Sequence, residues 1–300
     1  MRLCPVVALG LGLLLQGVAS GSLAQTPEPV QHLGSFVWRA TEHGFGGFSG
    51  LEVAPDGQTF TVISDRGAIT TGRFIRSNGR ITGIVAAPVQ ALPDTQGQPQ
   101  PEGMHDAEGL AMANDGRLFV SYEYDHRVWA YPTADADSAM ALPRPRAFRS
   151  LQTNSGLEAL AIDDAGRLYA VPERSGALGR PFPVWVYTPA TQSWRAAQNL
   201  PRRGGFLPVG ADFGPDGLFY LLEREFTGWG FRSRVRRFDL AATGDLHEMT
   251  LLETSVLRHD NLEGIAVWRD ISGALRLTMV SDDNFNPLQR TEFVEYRLSK

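Results

Sequence analysis

The sequence predicts an all-β chain closed into a β-propeller of five blades. Three observations predict it: one phrase recurs five times, turn residues fall at short regular intervals, and no stretch shows helical periodicity. Each copy of the phrase joins a short apolar alternation, through a Gly-containing turn, to a second strand that ends on a carboxylate. The copies begin at Ser49 (SGLEVAPDGQTFTVISD), Glu108 (EGLAMANDGRLFVSYE), Glu158 (EALAIDDAGRLYAVPE), Val209 (VGADFGPDGLFYLLE) and Glu263 (EGIAVWRDISGALRLTMVSD). Their starts lie 59, 50, 51 and 54 residues apart, near the period of roughly 40–50 residues that a four-stranded blade requires.

The elements follow in order within each repeat. Asp-Gly or Ala-Gly turns, the chemistry of tight hairpins, lead into apolar second strands at 118–122, 168–171 and 218–222. Third strands read at 127–131, 184–187, 234–238 and 293–298, and weaker outer strands at 81–85, 146–151, 193–198 and 247–252. The last copy leaves 38 residues to the C-terminus, too few for a full blade. The segment near 33–38 therefore completes that blade by pairing with the C-terminal strands, which closes the ring and removes exposed edges. Six blades would require a degenerate unit hidden in the long first interval.

Residues 1–24 read as a secretory signal peptide: Arg2, an apolar run from Pro5 to Leu15, and a small-x-small site at Ser22–Ala24. Residues 25–31 form an exposed lead-in, and 32–300 the propeller. The single cysteine, Cys4, falls within the signal segment, so the remainder has no thiol or disulfide. Export without disulfides fits a periplasmic or secreted protein, and 300 residues bury a large core without bridges. The net charge is −5 and Lys300 is the sole lysine. With no basic tract, nucleic acid is not an expected partner, nor is a membrane once the signal is cleaved. A monomer is expected.

In a blade, the start of the first strand lies beside the end of the antiparallel second strand. Glu108, Glu158 and Glu263 from the first set and Asp65, Glu123, Glu173, Glu223 and Asp282 from the second should therefore gather at one mouth of the central channel. Like charges this close repel, so the cluster calls for cations. Oxygen ligands without cysteine favour Ca²⁺, or else Mg²⁺. Arg66, Arg174 and Arg224 each follow one of these acids, and His105 and His259 precede Glu108 and Glu263. Acids to hold an ion, arginines to grip an anion and histidines to move protons are the parts of a metal-assisted hydrolase acting on a small phosphorylated or ester substrate. The rival readings are a non-catalytic ligand- or protein-binding propeller with a structural metal, and a lactonase-type metal propeller. Asp56, Asp115, Asp163, Asp164 and Asp216 belong to hairpin turns at the opposite face, where turn chemistry accounts for them.

The phrases FSGLEVAPDGQTFTVISDRG, DAEGLAMANDGRLFVSYE, SGLEALAIDDAGRLYAVPE, NLEGIAVWRD and VSDDNFNPLQRTEFVEYRL resemble the phytase-like domain, the esterase-like activity of phytase family, over residues 33–298. The resemblance implies a secreted propeller with phosphoester or ester hydrolase activity. It carries over to Asp65, Arg66, Glu108, Glu158, Glu223, Arg224, Glu263 and Asp282, and adds Asp283 as a metal ligand and Asn284 as a substrate contact. One departure is visible: the fourth copy has Val209 where others have an acid, with Asp212 three residues on.

Overall fold

The computed structural model describes residues 30–241 and 246–298. The expected signal segment and residues 25–29 of the lead-in lie outside the described residues. Five antiparallel sheets are present, each with a four-strand path. Blade I comprises Phe48–Val53, Thr59–Ser64, Ala68–Ser77 and Arg80–Ala86. Blade II comprises Ala107–Met112, Leu118–Tyr122, Arg127–Tyr131 and Met140–Ala141, and blade III Ala159–Ile162, Leu168–Val171, Phe182–Thr188 and Ser193–Leu200. Blade IV comprises Leu207–Phe213, Phe219–Phe226, Phe231–Asp239 and His247–Glu253. Blade V comprises Asn261–Arg269, Leu275–Asp282 and Glu292–Leu298, with Val30–Val37 as its outer strand. The five innermost strands contact one another in sequence, and the fifth returns to the first, so the ring is closed.

The predicted closure holds: Val30 pairs with Leu298 and Val37 with Glu292. The strand starts at Val30, so the last two residues of the expected lead-in are already part of the sheet. The long first interval contains no sixth blade. It contains the short strand Gln90–Ala91, which pairs with Ala68–Ser77. The expected outer strand at 146–151 is a correction. Arg146–Ser150 is a 3-10 turn, and the outer strand of blade II is Met140–Ala141. Pro143 and Pro145 lack the N–H groups a ladder needs, and the turn instead buries Phe148.

Apolar clusters fill the spaces between blades. Tyr220, Val235, Ile265, Met279 and Tyr296 pack together in one, and Val171, Phe182, Phe219 and Phe238 in another. The first strands approach one another through a belt of glycines. A Cβ on Gly109 would lie 2.6 Å from that of Leu160, and one on Gly210 only 2.2 Å from the Glu263 carbonyl oxygen. Gly50 and Gly264 are similarly crowded by Leu110 and Leu51, and Ala159 holds the fifth position. Gly210→Ala is therefore expected to destabilise the protein by about 3 kcal/mol, because main-chain atoms of the next blade must move. Gly179→Ala, with nothing within 4 Å, should be near neutral. Urea unfolding of the two variants checks the contrast.

Candidate active site

The glycine belt also explains how the acids reach the channel. In blades I, II, IV and V the pairing of the first two strands slips at the start, between Phe48 and Gly50, Ala107 and Leu110, Pro208 and Gly210, and Leu262 and Gly264. A β-bulge leaves one residue unpaired and re-aims its side chain. The bulge residues include Ser49, Glu108, Val209 and Glu263, and Glu158 precedes the paired segment of blade III. Beyond the bulge, the chain pairs Gly47 with Asp65, Asp106 with Glu123, Gly156 with Glu173, Leu207 with Arg224, and Asn261 with Asp282. The second-strand ring is thus Asp65, Glu123, Glu173, Arg224 and Asp282.

This register corrects the expectation for Glu223. It lies opposite Pro208, one step inward, and its side chain points into the blade. There it receives Arg234 Nε at 2.8 Å and Arg236 Nη2 at 2.6 Å, and both Glu223 and Arg236 side chains are fully buried. The position facing the mouth in blade IV belongs to Arg224. Its guanidinium donates to Asn261 Oδ1 at 2.6 Å and to Glu263, with Glu173 at 3.5 Å. Blade IV also presents Val209, buried in the apolar cluster between blades IV and V. Where four blades bring acid, the fourth brings the counter-charge.

The remaining carboxyls converge. Ligand oxygens of Asp106, Glu108 and Glu123 lie within 4.8 Å of one another. The carboxyls of Asp106 and Glu108 are hydrogen-bonded to each other, as are those of Glu123 and Glu158. Each such contact needs a proton between two acceptors. Burial, then the charges of Glu158 and Glu263, push Glu108 well above the ordinary carboxyl range. Burial, then Glu123 and Glu173, do the same to Glu158. Burial, then Asp106 and Glu263, raise Asp65 to about 7. Burial raises Glu123 to about 7, and burial with the charge of Glu263 raises Asp282 to about 9. Glu263 is raised by burial but pulled back by Arg224 and Asn261. Burial opposes the Arg224 charge, yet Glu263, Glu158, Glu173 and Glu108 hold its proton above the usual guanidinium value. Eight carboxyls thus surround one internal cation. This all-oxygen donor set suits a hard divalent ion.

Asp106 was not among the expected ligands. The Asp-Ala-Glu spelling of 106–108 carried the signal, since residues two apart in an extended chain lie on one side. Asn261 was also missed; it donates to Glu263 Oε1 at 2.8 Å. At the rim, Arg66 stacks on Phe285 with its guanidinium carbon 3.4 Å from the ring centre. Arg174 lies against Glu173 at 3.2 Å and is half exposed. His105 is half-buried, with Nδ1 3.1 Å from the Pro101 carbonyl.

Of the remaining expected site residues, His259 serves elsewhere, while Asp283 and Asn284 stand on the loop directly after Asp282. His259 is buried, with Nε2 2.7 Å from the Tyr296 hydroxyl, beside His32. Burial and the charges of His32, Arg258 and Arg290 push it down to about 4. It is held by the third strand of blade V, not by the acidic cluster. Asp283 accepts from the Gly47 and Phe285 amides and the Thr291 hydroxyl, and so fastens the loop after Asp282. Asn284 is exposed in a left-handed turn (φ 49°), its amide donating to Asp282. Asp212 lies at the other end of the channel, accepting from the Val267 amide. The hairpin aspartates act as expected: Asp56, Asp115, Asp163 and Asp216 accept amides of their own turns.

Fold and site together define a five-bladed propeller with a cluster of carboxyls at one mouth of its channel. The sequence profile described as Phytase-like, esterase-like activity of phytase, matches residues 43–285, and the chain belongs to that family. No curated protein matches it. Among solved structures, the PQQ-bound aldose sugar dehydrogenase of Streptomyces coelicolor shares 14% identity over 91% of this chain and 100% of that one, with a TM-score of 0.44. A gluconolactonase of Xanthomonas campestris shares 14% identity over 80% of this chain and 69% of that one, at 0.44. A catalytically inactive virginiamycin B lyase of Staphylococcus aureus with quinupristin shares 11%, over 90% and 99%, also at 0.44. The blade count rests on the chain's own strand pairing.

Proposed function

We propose that the acidic mouth is the centre of a divalent-cation-dependent hydrolase of small phosphoesters or carboxylic esters. The observation that carries this reading is the meeting of Asp106, Glu108 and Glu123 oxygens within 4.8 Å, supported by membership of the phytase-like family. Asp106, Glu108 and Glu123 would hold the ion, with Asp65 and Asp282 as neighbouring carboxyls of the same cluster. Ca²⁺ fits best, because it accepts many carboxylate oxygens in irregular geometry, whereas Mg²⁺ demands an octahedron. When bound, the ion supplies Lewis-acid stabilisation of the charge that develops on the substrate's ester oxygens. Glu158 shares a proton with Glu123 and can donate it to the leaving oxygen. His105 stands half-buried beside Asp106, at the edge of the cluster. Arg66 and Arg174 stand at the rim with exposed guanidiniums and meet the substrate's anionic group. Arg224 is occupied by Glu263, Glu173 and Asn261, so it holds the acids in place and leaves substrate to the other two. Export is in keeping with this reading, and the apolar N-terminal run and the single early cysteine support it.

Glu108→Gln tests the reading. Calcium affinity should weaken by about tenfold or more, a loss of about 1.4 kcal/mol, and turnover of the best ester in a panel of phosphomonoesters, phosphodiesters, carboxylic esters and lactones should fall with it. A calcium-saturated protein inert towards the whole panel would favour the binding-propeller alternative. Lactone turnover alone would favour the lactonase-type reading.

A further inference from the structure

We infer that the opposite end of the channel is a second, separate binding site, for an organic cation: an ammonium group carried on an apolar stem. A funnel of about 620 Å³ opens there, lined among others by Glu52, Met112, Ile162, Asp212, Phe213 and Trp268. That volume lies within the range of small-molecule sites. None of the acids of the mouth lines this funnel, and the glycine belt, with a small cavity of about 10 Å³ lined in part by Glu108, lies between the two along the first strands.

Glu52 and Asp212 line this funnel, from the first strands of blades I and IV, and each is more than nine-tenths buried. One oxygen of each is fixed by a main-chain amide of the next blade: Met112 N donates to Glu52 Oε1 at 2.9 Å, and Val267 N to Asp212 Oδ2 at 2.6 Å. Burial and then the charge of Asp212 raise Glu52 well above the ordinary carboxyl range, and burial raises Asp212 to about 7. Among the described residues neither acid forms an ion pair, although arginines are close at hand. Arg117 is committed to Asp115 at 2.9 Å, Arg167 to Asp163 at 2.6 Å, and Arg269 to the Gly273 carbonyl at 2.8 Å. Arg117 and Arg167 are thus matched by acids of their own turns, whereas the buried pair has no such counter-charge among the described residues.

The walls decide the kind of cation. A hard metal ion takes six or more oxygen ligands, whereas the immediate neighbours of this pair are Val53, Met112, Phe213, Val267 and Trp268, and the other carboxyls of the funnel, Asp115, Asp163 and Asp164, stand on the hairpin turns. An ammonium gains from two carboxylates in a low-dielectric setting, and its stem gains from the apolar and aromatic surface.

Calorimetric titration of the full chain with 2-phenylethylammonium, at saturating calcium, tests the site. Expected is binding of one equivalent, weakened about tenfold or more, about 1.4 kcal/mol, by Glu52→Gln and by Asp212→Asn. Gln and Asn retain an acceptor for the Met112 and Val267 amides, so melting curves should show folded variants. If one fails to fold, the other carries the test. Glu108→Gln should leave this affinity unchanged, and neutral 2-phenylethanol should bind far more weakly. No binding, equal binding of the alcohol, loss through Glu108→Gln in place of Glu52→Gln, or displacement by further calcium would each overturn the inference.

Discussion

Glu223→Gln is expected to cost about 3–5 kcal/mol of folding stability while leaving calcium affinity unchanged. The carboxylate accepts three short hydrogen bonds, from Arg234 Nε and from Arg236 Nε and Nη2, at 2.6–2.8 Å. Arg236 is fully buried, and its other partners are the Pro201 carbonyl and Glu248. A neutral amide at position 223 leaves two buried guanidiniums sharing too little negative charge. Removing one partner of a buried pair costs far more than the pair itself contributes, because the remaining charge cannot return to water. The urea midpoint should fall at unchanged slope. Retained stability with lost calcium binding would place Glu223 at the mouth after all.

Arg224→Met is expected to behave in the opposite way towards calcium. Without divalent ions it should lose about 3–5 kcal/mol, since Glu263, Glu173, Glu158 and Glu108 lose the cation that they surround. Methionine fills comparable space, so packing is not the main loss. Calcium should restore most of the stability, and its affinity should rise, because the mouth becomes one charge more negative. Unfolding in chelator and in excess calcium separates the cases. A loss of equal size in both would mean that Arg224 works by packing alone.

The blade count and ring closure were legible because each repeat carries the same alternation and turn chemistry, which local sequence encodes directly. The site was legible only in part. Glu123 lies 15 residues after Glu108, and Glu173 15 after Glu158. The same step from Val209 reaches Arg224, not Glu223. Counting residues, in place of matching carboxylates, would have found the reversed charge. A side chain one position off in a strand faces the other way, which is why Glu223 became a core ion-pair partner. His259 was misplaced for a different reason: proximity to Glu263 in sequence says nothing of Glu292 and Tyr296, which lie 33 and 37 residues further on, on the third strand of the blade, and capture the ring. The pairing of Glu52 with Asp212 joins blades I and IV through ring closure, and no local pattern announces it.

Thermal unfolding between pH 5 and 9, in chelator and in saturating calcium, tests the cation-dependent mouth most directly. Asp65 and Glu123 at about 7 and Asp282 at about 9 lie above their unfolded values of roughly 4. The folded protein therefore binds more protons than the unfolded chain, and metal-free stability should fall as pH rises from about 5 through 9. Calcium replaces those protons, so the stabilisation it confers should grow with pH over the same range. A profile that is the same with and without calcium would contradict the account.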